Sequence, residues 1–262
     1  MIAFLDGNEA NYKENKLHLR NQVSILPLGA HEYHGPHLPF ETDTLIAATI
    51  VEQVAQKLPR WFGFYFLEAE PVGYSVEHMR MKGTKTLSWQ EAIERWIAIG
   101  AQQHQKGIRK FVMLNAHGGN SPLMTIVATE LRARFNMLAI ATSWTRFGLP
   151  EGMLLPEEQA IDIHAGFIET SIMLAIAPDR VDMRKAENFQ NWQLILEDEF
   201  TYLRAYGKHA FGWLMQDLNP KGAAGNALRA NAIDGEKILN HAIRGFIRLL
   251  EDVQRFDSNC LT

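Results

Sequence analysis

Short apolar runs alternate with longer amphipathic stretches along the chain. Runs of consecutive apolar residues predict four buried strands, at residues 22–30, 62–73, 108–115 and 137–144. After Asp43, apolar residues recur at helical spacing, at Ile46, Ile50, Val54 and Leu58. Alternation of strands and helices favours a mostly parallel sheet with helices on both faces, which is a three-layer α/β/α sandwich.

Two further stretches carry the signals of helix boundaries. A helical series begins at Trp89 and continues through Trp96 until Gly107 can end it, so both tryptophans are predicted to face the core. Ser121 followed by Pro122 is typical of a helix start. In parallel sheets ligands bind beyond the carboxyl ends of the strands. Candidate chemistry is therefore expected in the residues that follow each strand.

Composition excludes several classes of protein. Hydrophobic residues make up 47% and charged residues 21%, which is typical of a globular protein, and the net charge of −4 gives no basic surface for nucleic acid. No apolar run approaches the roughly 20 residues that span a membrane, and the amino-terminal residues turn polar too early for a signal peptide. With one cysteine, Cys260, there is no internal disulfide or cysteine metal cluster. We expect a single cytoplasmic domain, residues 1–262, without nucleic-acid or membrane partners.

The first candidate cluster is HEYHGPHLPFETDT, residues 31–44, which follows the first predicted strand. Glu32 and His34 are separated by one residue, so in an extended chain both side chains point to the same side. Asp43 lies in the first turn of the next predicted helix, where the helix dipole favours a carboxylate. Carboxylates and imidazoles are suitable ligands for Zn²⁺, Mn²⁺ or Fe²⁺. The alternative is a polar loop with a helix-capping aspartate.

The second candidate cluster is NAHGGN, residues 115–120, between the third strand and the next helix. Gly118 and Gly119 allow a sharp turn and a close approach to a ligand. They place His117 at the carboxyl edge of the sheet as a candidate ligand. The alternatives are a Gly-Gly turn with a hydrogen-bonded histidine, or a phosphate loop, although neither standard phosphate-binding glycine motif occurs.

The third candidate cluster is DIHAGFIETS, residues 162–171, with a helix predicted from about Ala165. Glu169 lies among apolar residues, where an unpaired carboxylate is costly, so it needs a partner such as a metal. His164 precedes the helix and is free for another role, unless it is an ordinary capping or core histidine. Five candidate ligands are too many for one catalytic zinc and suit two metals sharing a carboxylate: Glu32, His34, Asp43, His117 and Glu169.

Five segments in order resemble the creatininase (creatinine amidohydrolase) family: LPLGAHEYHGPHLPFETD, GYSVEHMRMKGTKTLS, NAHGGN, HAGFIETS and GAAGNALRANAIDGEKIL. The resemblance runs from about residue 23 to about residue 240. It implies an α/β three-layer enzyme with two metals that hydrolyses amide-type C–N bonds. It implies that Glu32, His34 and Asp43 are ligands, with Asp43 bridging the metals, that His117 is a further ligand, and that His164 transfers a proton.

The chain departs from creatininase at two places. Creatininase has a glutamate ligand two residues after the histidine of the third segment, and here that position is Gly119, so Glu169 is predicted as the replacement. Creatininase also has a tryptophan shortly before its catalytic histidine, which is missing here and leaves Trp144 as the candidate. This argues against creatinine as the substrate. Similar branches include deformylases of formylaminopyrimidines and the mycofactocin peptidase.

Together with the ligand clusters, the resemblance implies a hydrolase that cleaves a small cyclic amide or formamide with two divalent ions, Zn²⁺ or alternatively Mn²⁺ or Fe²⁺. The substrate-binding residues are predicted to be Ser75, His78, Gly118, Gly119 and Trp144. The resemblance implies a homo-oligomer, hexameric as in creatininase. One alternative is a metallo-phosphoesterase or metallo-β-lactamase-like enzyme, which the absence of an H-x-H-x-D-H string argues against. The other is a non-catalytic, mononuclear binding protein, which the Gly119 departure supports.

Other histidines and tryptophans are given no ligand role. His31 and His37 are predicted to be loop residues or to support the ligands. Ordinary roles are expected for His18, His104, His209 and His241. No role is assigned to Trp61, Trp192 and Trp213.

Overall fold

The computed structural model describes residues 21–59 and 62–261. His18, Trp61 and the amino-terminal residues that bear on the signal-peptide prediction lie outside these ranges. The main sheet contains β1 (Val23–Leu28), β2 (Phe64–Phe66), β3 (Lys110–Asn115) and β4 (Leu138–Ser143). All pairings in it are parallel and the strand order is β2-β1-β3-β4. The predicted α/β fold with a mostly parallel sheet is therefore confirmed.

The second strand is much shorter than its apolar run of residues 62–73 predicts. Beyond β2 the chain stays beside β1 through separate contacts, in which the Leu67 N–H donates to the Ile25 carbonyl and the Glu70 N–H to the Pro27 carbonyl. Pro71 then follows, and proline has no N–H to continue a ladder. The edge strand thus ends early and gives way to an irregular segment that passes over the end of the sheet.

Eight α-helices occur in the described part of the chain: α1 (Thr42–Lys57), α2 (Trp89–Gln105), α3 (Ser121–Phe135), α4 (Pro156–Ile161), α5 (Phe167–Ile176), α6 (Gln193–Glu199), α7 (Met215–Leu218) and α8 (Ala232–Arg255). A small antiparallel pair joins β5 (Asn188–Phe189) to β6 (Gly225–Asn226). No helix in the described ranges is long and apolar enough to cross a membrane.

Two hydrophobic clusters cover the two faces of the sheet. Side chains of a strand alternate between faces, and Val112 of β3 contributes to one cluster whereas Phe111 contributes to the other. The first cluster includes buried residues of α1, α5 and α8, and the second includes buried residues of α2 and α3. The sheet therefore lies between two helical layers, as the sequence pattern predicts.

Of the two tryptophans predicted to face the core, one is buried and the other is exposed. Trp96 is fully buried, as predicted, whereas Trp89 is 52% exposed and its prediction as a core residue is wrong. Trp89 is the first residue of α2, and side chains of a helix point back towards its amino terminus. Its ring therefore extends beyond the helix start. Ser88 begins this helix with a capping box, in which its hydroxyl accepts from the Glu91 N–H.

The two central strands bring the candidate loops together. Leu28, the last residue of β1, is paired with Asn115, the last residue of β3. The Glu32–His34 loop and the His117 loop therefore leave the same edge of the sheet side by side. The start of α1 returns to this edge with Asp43, so the fold places the first and second candidate clusters at one point.

Candidate metal centre

Buried amide side chains fix the His117 loop against the end of β1. The side-chain oxygen of Asn115, Oδ1, accepts from the His117 N–H at 3.1 Å, and the side-chain Nδ2 of Asn115 donates back to the His117 carbonyl. Asn120 donates to the Gly29 carbonyl at 3.1 Å and to the Asn115 side chain at 3.0 Å. Because all of these groups are satisfied inside the protein, the position of His117 is strongly determined.

One group of candidate ligands consists of His34, Asp43 and Glu169. The Nε2 atom of His34 lies 3.4 Å from Asp43 Oδ1 and 3.9 Å from Glu169 Oε2. The other ring nitrogen, Nδ1, lies 2.9 Å from the Glu32 carbonyl, to which it donates. This hydrogen bond leaves Nε2 free to bind a metal, which is the usual arrangement of a ligand histidine.

A second group consists of Glu32, Glu77 and His117. His117 Nδ1 lies 3.1 Å from Glu32 Oε2, while Nε2 lies 2.8 Å from the Tyr74 carbonyl and 3.4 Å from Glu77 Oε1. The carbonyl accepts the Nε2 proton, which leaves Nδ1 as the ligand atom. Ser75 Oγ is 3.2 Å from the same Nε2 and completes the support of the ring.

Asp43 lies between these two groups. Its Oδ1 faces His34 at 3.4 Å and its Oδ2 faces His117 at 3.6 Å. The carboxylate thus presents one oxygen to each group. This is the geometry that a carboxylate bridging two metals requires.

His164 lies beside both groups and belongs to a third possible ligand set with Glu32 and His34. Its Nε2 lies 2.9 Å from the Tyr33 carbonyl, to which it donates, so Nδ1 is the free atom and faces Glu32 Oε1 at 3.6 Å. The backbone of His164 forms a bridge with Ala224, in which the Ala224 N–H donates to the His164 carbonyl at 2.7 Å. The imidazole is therefore fixed in one tautomer with its lone pair towards the site.

The helix that carries Glu169 begins later than predicted. It starts at Phe167 rather than at about Ala165, because Ala165 has a φ of 51°, which no helix continues. This conformation directs the Ala165 N–H to Glu169 Oε2 at 2.7 Å. The buried Asp162 carboxylate serves as the cap, accepting from the Phe167 N–H at 2.6 Å and the Ile168 N–H at 3.2 Å.

The protonation pattern of the cluster separates its histidines into two kinds. Burial opposes the charged form of His34 and His117, but Asp43 beside the first and Glu32 beside the second raise the pKa of each to about 10. Burial instead lowers the pKa of His78 to about 4 and holds that of His164 well below its usual range. His34 and His117 thus act as the counter-ions of the metal-free site, while His78 and His164 are neutral.

The carboxyl groups respond to the same surroundings. Burial raises the pKa of Asp43 and Glu77, and raises that of Glu169 to about 7. Burial would also raise the pKa of Glu32, but His117 and the other neighbouring histidines hold it well below its usual range. Several acidic groups are therefore buried against one another, which is expensive without a compensating cation.

Unpartnered buried atoms point to the same conclusion. Glu32 Oε2, His34 Nε2 and Asp43 Oδ2 are buried without a hydrogen-bond partner among the described residues. Buried polar atoms are nearly always satisfied, and each exception requires an explanation. All three atoms are suitable metal ligands and point into the same cluster, so the residues fit divalent ions.

The other predicted site residues are divided between the site and the core. His78 is buried, with Nε2 3.5 Å from Glu32 Oε1, and Ser75 contacts His117. Gly118 is exposed and Gly119 is partly exposed beside His117. Trp144 is only 2% exposed and packs in the first hydrophobic cluster, so the structure does not bring it to the pocket surface.

The predicted supporting histidines lie around the ligands. His37 is buried, and its Nε2 lies 2.9 Å from the Thr170 hydroxyl. His31 stacks on Phe40 with ring centroids 5.3 Å apart. Neither belongs to a group of residues able to hold a metal in the described structure.

Glu77 belongs to one of the possible ligand groups although the sequence pattern does not predict it. It lies on a short 3₁₀ turn, Val76–His78, in the irregular segment after β2. The available signal is its position inside GYSVEHMRMKGTKTLS, the second of the five segments, directly before His78. The structure places Glu77, rather than Glu169, next to position 119, whereas Glu169 accompanies His34.

The chain is similar to known proteins over most of its length. The family model described as Creatininase: Creatinine amidohydrolase matches residues 8–250. A mycofactocin precursor peptide peptidase of Mycolicibacterium smegmatis is 28% identical over 246 residues, covering 93% of this chain and 90% of that protein. A 2-amino-5-formylamino-6-ribosylaminopyrimidin-4(3H)-one 5'-monophosphate deformylase of Methanobrevibacter smithii is 30% identical over 161 residues, covering 57% of this chain and 64% of that protein.

Solved structures agree with the fold. A crystal structure of creatinine amidohydrolase is 22% identical in sequence, with a TM-score of 0.73, and covers 94% of this chain and 96% of that one. Solved forms of creatininase that match this chain include a manganese form and a Zn-Zn form. Relatives with this fold therefore hold manganese or a pair of zinc ions.

Proposed function

Because the chain belongs to the creatininase family, we propose that it is a dinuclear metal-dependent amidohydrolase that cleaves the C–N bond of a small cyclic amide or formamide. The observation that carries the proposal is the position of Asp43, with one carboxylate oxygen towards His34 and the other towards His117. Zn²⁺ is the proposed metal, with Mn²⁺ and Fe²⁺ as alternatives, since all three accept oxygen and nitrogen ligands.

The charge of the cluster supports two ions rather than one. Glu32, Asp43, Glu77 and Glu169 all contribute to the possible ligand groups, and each carries one negative charge when ionised. Two divalent cations match the charge of four carboxylates. With a single divalent ion, two of these largely buried charges would have to be protonated or balanced by charged histidines.

The proposed chemistry divides between the metals and the side chains. Two divalent ions would supply a water activated at neutral pH and a Lewis acid for the scissile carbonyl. His34, Asp43 and Glu169 would hold one ion, and Glu32 and His117 would contribute to the other, with Asp43 shared. All of these residues come from the loops at one sheet edge or from the first turns of helices, so their separations are set by the fold.

His164 is proposed to move the proton. Its Nε2–H donates to the Tyr33 carbonyl, and its neutral Nδ1 faces the site. A neutral imidazole nitrogen can accept a proton from the attacking water and then deliver it to the leaving nitrogen. The rings of His34 and His78 pack on either side with centroids 4.3 and 4.4 Å away, so the imidazole keeps this orientation.

The surroundings of the site favour a small substrate. The ligands from the central loops are between 0% and 4% exposed, whereas Glu77, Gly118, Gly119 and Glu169 beside them are partly or fully exposed. We infer that the substrate reaches the ligands from the side of the Gly118–Gly119 turn and of Glu169. Trp144 lies in the core, and with no other aromatic side chain proposed at this opening, creatinine is not the proposed substrate.

The test combines metal analysis with a substrate panel. We expect the purified protein to contain about two metals per chain and to hydrolyse cyclic amides or N-formyl amines. His164→Ala should retain both metals and lose turnover by roughly 10²- to 10⁴-fold. If the variant also loses a metal, His164 is a ligand and the proposed proton transfer is wrong.

A peptidase is the second candidate function. It is favoured by the similarity to mycofactocin precursor peptide peptidase, which extends over 93% of this chain. Short peptides with free or blocked termini belong in the same panel. Cleavage of the peptides without turnover of any cyclic amide or formamide would replace the first candidate by the second.

Assembly and location remain proposals. The family resemblance supports a homo-oligomer, hexameric as in creatininase, with a cytoplasmic location. Sedimentation of the metal-loaded protein measures the assembly directly. A monomer at micromolar concentration would contradict it.

A further inference from the structure

Gly119 and Glu77 compete for one position beside His117. A Cβ atom built on Gly119 would lie 2.5 Å from His117 Nε2 and 2.6 Å from Glu77 Oε1, and it would also collide with the Tyr74 carbonyl. Real Cβ atoms do not approach other heavy atoms so closely. A side chain at position 119 therefore cannot coexist with the Glu77 carboxylate where it now lies.

The same geometry places the carboxylate of Glu77 beside the position where creatininase has its glutamate ligand. In creatininase a glutamate two residues after the histidine binds a metal, and in this chain that position has no side chain. The carboxylate nearest to this position comes from the segment between β2 and α2, on the turn Val76–His78. Its Oε1 lies 3.4 Å from His117 Nε2, and Glu32, Glu77 and His117 each offer a ligand atom within 4.8 Å of the other two.

We propose that Glu77 supplies a carboxylate ligand of the metal ion held by Glu32 and His117, and that Gly119 provides the space it occupies. The proposal rests on the proposed function, since it assigns one ligand of that dinuclear centre. The chain would thus keep both metal sites although the carboxylate is absent from its creatininase position.

Two observations favour a ligand over a residue that merely orients His117. The Nε2 atom of His117 already has the Tyr74 carbonyl at 2.8 Å and Ser75 Oγ at 3.2 Å, so it does not require the carboxylate. The side chain of Glu77 is only 16% exposed, and its ion-pair partner in the described structure is His117 itself. A divalent ion would give this carboxylate a strong partner.

The first experiment counts metals in the holoprotein and in Glu77→Gln, which keeps the shape of the side chain and removes its charge. We expect about two ions per chain in the wild type and about one in the variant. Glu151→Gln, on an exposed loop residue, is the matched control and should keep two. Cobalt(II) added to metal-stripped protein reports the same change through its visible absorption, because the absorption depends on the ligands of each ion.

The outcomes separate the two proposals. If the wild type holds two ions and Glu77→Gln holds two with unchanged affinity, the Glu77 assignment is overturned while the dinuclear hydrolase stands. If Glu77→Gln loses both ions, Glu77 is not a ligand of one ion specifically and the assignment is also overturned. A wild type that holds one ion or none overturns both proposals. Glu77→Asp, which keeps the charge on a shorter side chain, should recover the second ion with at least tenfold weaker affinity.

The neighbouring glycines provide an independent test. Gly119→Ala should weaken binding of the second ion at least tenfold, because the methyl group displaces Glu77 or His117. Gly118→Ala is the matched control, since a Cβ there meets no atom within 4 Å. Equal affinity in the two variants, each shown to be folded by circular dichroism, would mean that position 119 does not govern the second site and would overturn the proposed role of Gly119.

Discussion

Removal of the metals should destabilise the protein strongly, and Asp43 should control most of the effect. The perturbation is chelation of the wild type and of Asp43→Asn, followed by titration with Zn²⁺ or Mn²⁺. Asp43 is 1% exposed, and its two oxygens lie 3.4 and 3.6 Å from the ligand histidines of the two groups. Its replacement therefore affects both sites at once.

The size of the effect follows from the number of sites. An ion that binds only the folded state at 100 times its Kd stabilises it by about 2.7 kcal/mol, so two sites contribute on the order of 5 kcal/mol. For a chain of this length each kcal/mol corresponds to roughly 2–4 °C in Tm. Metal-loaded wild type should melt roughly 10–20 °C above the chelated protein, and the variant should show less than half of this difference.

The chelated protein shows what Asp43 contributes to stability without a metal. Burial raises the pKa of Asp43 in the metal-free protein, whereas the neighbouring His34 and His117 oppose this rise. Because the cost of burial and the pairing with the histidines offset each other, the chelated Asp43→Asn protein should melt close to the chelated wild type. A loss of Tm in the variant without metal would show that Asp43 has a structural role instead.

Differential scanning calorimetry at pH 7.5, with and without chelator, measures these differences. Asp198→Asn, at an exposed position of α6, is the matched control and should keep the full metal-dependent shift. The reasoning is refuted if loaded and chelated wild type melt within 2 °C of each other, or if Asp43→Asn retains the wild-type shift.

Three further predictions concern residues around the site. Burial lowers the pKa of His37 to about 4, so the folded state resists protonation of this residue and the free energy of unfolding should fall by about 3 kcal/mol as the pH drops from 6.5 to 4. In urea unfolding, His37→Asn should lack that part of the loss. The same decrease at acidic pH in the variant and the wild type would contradict this prediction. Asp162→Ala should cost roughly 2 kcal/mol in urea unfolding, because two partly buried N–H groups at the start of α5, one of them that of Phe167, lose their acceptor. Asp162→Asn, which still accepts, should cost less than half as much, and equal costs would rule out capping as the cause. Gly29→Ala should lower the free energy of unfolding by about 1–3 kcal/mol, since the added methyl would lie 2.6 Å from Thr44 Cα and 2.7 Å from Thr44 N. A decrease below 0.5 kcal/mol in chemical denaturation would show that the start of α1 can move.

The sheet and its loops could be predicted because their signals are local. Buried parallel strands are continuous apolar runs in the sequence. Because ligands bind at the carboxyl ends of such strands, the predicted strand positions also predict where the site lies. The alternation of Glu32 and His34 after β1, and the position of His117 after β3, were sufficient to bring the two loops together. The pairing of Leu28 with Asn115, on which this depends, is what a parallel neighbour relation produces.

Boundaries were less predictable where a side chain or an unusual backbone angle decides them. Apolar spacing suggested a helix from about Ala165, but the positive φ of that residue and the Asp162 cap move the start to Phe167. Neither effect has a periodic signal. Trp89 shares the helical series of Trp96, which predicts a position in the core. The spacing of residues shows on which side of a helix each one lies, but it does not show how far the helix extends past the core.

Glu77 shows why a missing motif residue is weak evidence for a missing site. A motif records which chain position provides a ligand, whereas a metal ion responds only to where a carboxylate oxygen lies. The loss of the side chain at Gly119 opens space beside His117, and the segment after β2 brings Glu77 into contact with that space from another part of the chain. The sequence change that suggested a mononuclear protein is thus the change that makes room for a different carboxylate. Because a side chain at position 119 and the Glu77 carboxylate exclude each other sterically, the two residues should act together at the second ion, and a count of ions in Glu77→Gln tests the part of Glu77.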